Sequence, residues 1–250
     1  MRSSRWFVYL FLAFILVGPV VEAQTITIPR LSLDFEQSDK PKEIVSAIKI
    51  VIAMTLLALA PSLLLAMTSF TRLVIVLSLL RQAIGVHQAP PNQVVVGLAI
   101  FLTFFIMQPY LNEINEKALQ PYLAEKISQD QALDGAVKPL RTFMLKQTRK
   151  KDLAMFLSLS KAPRPQTPDD ISLVSLVPAF IISELKSAFQ MGFMIYIPFL
   201  VIDMVVATIL MAMGMMVLPP ILISLPFKLM LFVMVDGWSL MMHSVMKSFN

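Results

Sequence analysis

The stretch from Pro178 to Pro220, PAFIISELKSAFQMGFMIYIPFLVIDMVVATILMAMGMMVLPP, constrains this chain more than any other. It is almost wholly apolar, yet it carries Glu184, Lys186 and Asp203. A run of that length needs lipid or other protein around it. Charges placed at membrane depth are expensive and mark pathways or assembly contacts. The run ends in Met211, Met213, Met215 and Met216, beside Gly214 and the Pro219-Pro220 pair. Thioether side chains are unbranched and soft, so a cluster of them makes an apolar lining that can re-pack.

The rest of the composition agrees with a membrane chain. Hydrophobic residues make up 57% and charged residues 15%, against about 25% charged in soluble domains. Mean hydropathy is +0.74. The net charge of +5 does not indicate nucleic acid, because bases and acids are interspersed and no basic face with aromatic interleaving stands out. The chain has no cysteine, which excludes disulfides, thiolate metal sites and cysteine nucleophiles. His87 and His243 are far apart, so neither a histidine-rich metal site nor a cofactor is expected. Paired carboxylates and a Ser-His-Asp arrangement are likewise not evident.

The N-terminus reads as a signal peptide. Arg2 and Arg5 precede an apolar stretch from Trp6 to Val17, Gly18-Pro19 breaks it, and Val21-Glu22-Ala23 offers a small-residue cleavage site. An uncleaved first helix is the plainer alternative. Cleavage after Ala23 puts Gln24 outside a bacterial inner membrane, with residues 24–43 as an irregular periplasmic segment.

Beyond it the expected organisation is all-α: a first helical hairpin over 44–107, a periplasmic helical insert over 108–176 and a second hairpin over 177–250. Ile44 to Phe70 is long enough to span, with Pro61 inside it. Leu73 to Leu80, between Arg72 and Arg81, is too short to cross, and those arginines are expected in a short cytoplasmic loop. Val94 to Met107 would make about 21 Å of helix, short of a hydrocarbon core of about 30 Å. Thr142 to Ser160 predicts one amphipathic helix, with Leu153, Phe156 and Leu157 on one face. The closing blocks, Leu173 to Val217 and Ile221 to Met246, predict a hairpin turning at Pro219-Pro220.

Glu184 and Lys186 are two residues apart, so on a helix they point apart and need other partners. Lys228 is the only lysine or arginine from Ile221 to Met246, and a Glu184–Lys228 bridge, within a subunit or between neighbours, is expected. Asp203 and Asp236 each lie inside an apolar block, and Lys186 is a candidate partner for one of them. The plainer reading sets these charges at interfacial depth against headgroups or water. At about 100° per residue, Met211, Met213, Met215 and Met216 scatter around a helix. They are either a helix end in lipid or a partly unwound loop facing a central space.

Three blocks carry a resemblance: MTSFTRLVIVLSLLRQAIGVHQAPPNQVVVGLAIFLTFFIMQP (Met67 to Pro109), PAFIISELKSAFQMGF (Pro178 to Phe193) and PFLVIDMVVATILMAMGMMVLPP (Pro198 to Pro220). In these the chain closely resembles the FliP/SctR family of type III export-gate proteins. The resemblance covers about Ile44 to Met246. It implies a ring, pentameric in the family, built with FliQ and FliR into a conical helical channel at the base of the flagellum. Unfolded flagellar subunits would pass through it. It implies a methionine gasket falling in Met211 to Met216, and inter-subunit bridges compatible with Glu184 and Lys228. It also implies no enzymatic activity, energy being supplied through other components. The signal peptide favours the flagellar branch over the injectisome branch. The competing readings are an ion-coupled transporter using Glu184, Asp203 and Asp236 as a relay and, more remotely, a membrane enzyme.

Overall fold

A computed structural model describes residues 41–86, 89–160, 165–215 and 218–249. The signal peptide, most of the 24–43 segment, His87 and Met216 lie outside the described residues. The chain divides into two compact units, residues 1–52 and 53–250. In the first, the described residues begin helix α1, Pro41–Ala66.

The second unit is helical throughout its ordered elements, with no strand among the described residues. After α1 come α2, Phe70–Ile84, and α3, Asn92–Ile114. A π-helical turn, Asn115–Leu119, and a last helical turn, Gln120–Leu123, prolong α3. Helix α4 is Gln129–Gln147 and α5 is Lys150–Leu159. Helix α6, Leu173–Ala212, is followed by α7, Pro220–Met234, and α8, Gly237–Lys247.

The core forms where α2 lies along the first half of α6. On α2, Leu73, Val76, Leu77, Leu80 and Ile84 recur at helical spacing and are buried. Leu176, Phe180 and Ala188 of α6 belong to the same core. Burial of each large side chain contributes about 1.5–3 kcal/mol. Gly192 allows the closest approach: a Cβ there would sit 2.2 Å from a Leu79 methyl. Phe143 of α4 extends the core through edge contacts with Tyr110 at 5.2 Å and Phe180 at 5.8 Å. Helix α4 starts at a reciprocal cap, in which Ser128 accepts from the Gln131 amide and the Gln131 side chain accepts from the Ser128 amide.

Several local expectations change. Arg72 and Arg81 are not in a loop: both lie in α2, because eight apolar residues too few to cross a bilayer still make one buried helix face. The block at Val94 to Met107 borrows flanking residues. Helix runs from Asn92 through Pro109 to Leu123, 32 residues in all, and an apolar window within it is long enough to cross a membrane. Thr142 to Ser160 is two helices, broken where Thr148 and Arg149 are extended. The Arg149 amide donates to Ser183 Oγ on α6, a tertiary bond that takes the place of a helical one. The second arm of the closing hairpin is α7 and α8, bent by 66°. The bend is at Asp236, whose φ of +49° takes the backbone out of the helix.

By length and composition, Ile48–Ala66, Asn92–Leu123 and Leu173–Ala212 can each cross a membrane, and the bent α7–α8 pair makes a fourth candidate. The 40 residues of α6 extend about 60 Å, twice a hydrocarbon core of about 30 Å. An upright crossing by α6 would therefore leave about half of it beyond the lipid core.

Candidate functional site

Helix α6 carries two sets of functional candidates, charges along its length and methionines at its end. Glu184 is 0% exposed and pairs with Arg72 of α2. The guanidinium meets the carboxylate with two donors, Nε to Oε2 at 2.9 Å and Nη2 to Oε1. Nη1 donates to the carbonyl and the hydroxyl of Ser248, each at 2.9 Å, and Nη2 also donates to Gln147 Oε1 at 3.1 Å. All five donors of the fork therefore have acceptors. The ring of Phe249 lies 3.9 Å from the guanidinium carbon, a cation–π contact. This bracket ties α2, α4, α6 and the residues after α8 to one point.

A second pair joins α5 to α6. Lys186 donates to Asp152, and Ser183 Oγ donates to the other carboxylate oxygen at 2.9 Å. Asp152 is buried, whereas the Lys186 side chain is 49% exposed. The Lys186 hydrogen bond holds the Asp152 carboxyl below its usual range, aided by Ser183 and Arg149 and opposed by burial. Arg149 adds bonds to Ser187 at 3.2 Å and Gln190 at 2.6 Å.

The third pair joins α6 to α7. Lys228 Nζ donates to Asp203 Oδ2 at 2.6 Å and to the Ala83 carbonyl at 3.4 Å. Ser224 Oγ donates to Asp203 Oδ1 at 2.5 Å.

Four of the five singled-out charges are thus inter-helix partners, but not in the expected combination. Within one chain Glu184 and Lys228 do not meet. Arg72 supplies a two-pronged donor facing Glu184, and Asp203 lies opposite Lys228 one turn from Ser224. Lys186 reaches Asp152, not Asp203 or Asp236. Asp236 marks the α7–α8 bend and makes no ion pair among the described residues. Sequence reasoning missed Arg72, Asp152, Gln147 and Ser248. The usable signal for Arg72 was its spacing of four from Val76, which sets it at the edge of the buried stripe of α2.

The methionines sit on a defined helix stop. Helix α6 ends at Ala212, and Gly214 is left-handed at φ +72°. The Met215 amide donates to the Leu210 carbonyl at 2.9 Å and the Gly214 amide to Met211 at 3.0 Å. This pair of bonds is a Schellman motif, which satisfies carbonyls that the helix end leaves open. The turn is therefore ordered by hydrogen bonds, and Leu210 is buried beneath it. Met211, Met213 and Met215 are 61%, 59% and 41% exposed. Three thioethers project from a short turn between two apolar helices. Among the described residues no group of His, Cys, Asp and Glu is arranged to hold a metal.

Comparison with known proteins gives this arrangement a family. A model of the FliP family matches residues 53–245. The flagellar biosynthetic protein FliP of Bacillus subtilis is 54% identical over 86% of this chain and 97% of its own length. FliP of Pectobacterium carotovorum is 53% identical over 81% of this chain and 79% of its own. FliP of Aquifex aeolicus is 52% identical over 83% and 87%. This membrane-embedded helical chain belongs to the FliP family.

Proposed function

We propose that copies of this chain, a component of the flagellar export apparatus, close around a common axis and conduct unfolded flagellar subunits across the bacterial inner membrane. The observation that carries this reading is the ordered turn at Gly214, which holds Met211, Met213 and Met215 exposed at the end of the longest helix. Met216 belongs to the same cluster in sequence. Flexible thioethers from several copies seal a hole and yield to a passing chain, because they re-pack at little cost. The ring is pentameric and includes FliQ and FliR, on the family resemblance. The insert over residues 108–176 faces the periplasm.

In this reading the chain does no covalent chemistry. Its charges act as braces: Glu184, Lys186, Asp203 and Lys228 within the protomer, with Asp236 left at the α7–α8 bend for a neighbour. Exchange of Glu184 or Lys228 partners between copies is part of the same proposal. A Glu184→Lys, Lys228→Glu double variant that assembles better than either single variant supports such exchange.

The gate is tested by replacing Met211, Met213, Met215 and Met216 together with alanine. Inner-membrane permeability to small solutes and ions is then measured in cells expressing the whole export apparatus. A rise in permeability is expected. Unchanged permeability contradicts the gasket.

A further inference from the structure

Between α3, the end of α4 and α8 lies a groove of about 620 Å³, within the range of about 300–1,000 Å³ typical of ligand pockets. Its apolar wall includes Phe105, Ile106 and Tyr110 of α3. Lys146, in the last turn of α4, and His243 and Lys247 of α8 line it too, and among the described residues no carboxylate does. Both lysines are exposed, and neither makes an ion pair among the described residues. A lysine in a last turn offsets the helix dipole, which accounts for each lysine taken alone. It does not account for two helix ends converging, with an imidazole, over one aromatic slot.

We propose that this groove binds an anionic membrane phospholipid, its phosphate held by Lys146, Lys247 and His243 and one acyl chain lying along Phe105 and Ile106. The charge is complementary: three basic side chains line the slot, and no acid among the described residues lines it. The wall fits a hydrocarbon chain, and Phe105, 65% exposed, belongs to a helix apolar enough to cross a membrane. Basic pockets between membrane helices take anionic headgroups in this way. An acidic peptide would match the cations but leave the aromatic wall uncovered.

The test uses the full chain purified in mild detergent. Bound lipid is counted by native mass spectrometry during titration with phosphatidylglycerol or phosphatidylcholine. The expected preference for phosphatidylglycerol is about tenfold, and it falls to near parity in Lys146→Gln, Lys247→Gln. The charge-conserving Lys146→Arg, Lys247→Arg variant keeps the preference, and Ile106→Trp, which fills the slot, weakens both lipids. Equal binding of the two lipids by the unaltered chain overturns the proposal. So does a preference that survives both glutamine substitutions. Complete competition by inorganic phosphate would assign the site to free anions, and complete competition by an oligoglutamate peptide to acidic protein. Either result also overturns it.

Discussion

The two halves of α6 are similarly apolar in sequence but differ in what they touch. In the first half, Ser175, Leu176, Phe180, Ser183, Glu184 and Ala188 are buried against the rest of the chain. In the second, Phe193, Met194, Leu200, Val201, Met204, Val205 and Ile209 are all more than half exposed. The first half satisfies its charges internally, so its role is to fix the protomer. The second half leaves a broad apolar face that one chain cannot cover, and patches of this kind mark lipid or protein contact. One helix thus joins a rigid base to a surface that needs a second partner.

The largest effect should come from breaking the base. Glu184→Ala strands the Arg72 guanidinium in a buried site, which costs about 3–5 kcal/mol. Thermal melting of the detergent-solubilised chain should fall sharply. Melting within a degree or two of the unaltered chain would mean that the bracket does not anchor the base. Gly192→Val comes next, because its Cβ would overlap Leu79 at 2.2 Å. Overpacking of this kind costs about 1–3 kcal/mol, and Leu79→Ala in the same chain should recover part of it. A double variant no more stable than Gly192→Val places the strain elsewhere.

The base was only partly legible in sequence. That helices dominate, and that charges sit inside apolar runs, followed from composition and spacing. Which charge meets which did not. Arg72 looks like a loop residue before a short apolar run until α2 is seen to pack sideways on α6. Asp152 lies in a polar stretch that gives no hint of burial. The break at Thr148 depends on a hydrogen bond to Ser183 from Arg149, a contact between residues distant in sequence that no local pattern encodes. By contrast, the methionines beside Gly214 were readable in sequence as either a helix end or a partly unwound loop. Only the hydrogen bonds from Gly214 and Met215 show an ordered turn there.

The Asp152–Lys186 pair should matter less, because Lys186 is half in water. Asp152→Asn should cost about 1 kcal/mol or less. The Asp152 carboxyl is depressed below its ordinary 3.8. The charged form therefore stabilises the fold above that pH, and the contribution is lost as pH falls through the lower folded value. Melting of the unaltered chain should drop more steeply below about pH 4 than melting of Asp152→Asn. Parallel curves would show that the pair contributes nothing. Smallest of all should be the stability change from alanine at Met211, Met213 and Met215. These side chains are exposed in the single chain, and exposed positions usually shift stability by about 0.5 kcal/mol or less.

The most direct test of the uncovered half uses the absence of cysteine from the chain. Met213→Cys introduces a single thiol at an exposed position on the α6 stop. If copies close around a shared axis, oxidation in native membranes should give a disulfide-linked dimer that disappears on reduction. A cysteine that reacts with a soluble maleimide yet never links two copies, in a chain still supporting export, would contradict the account.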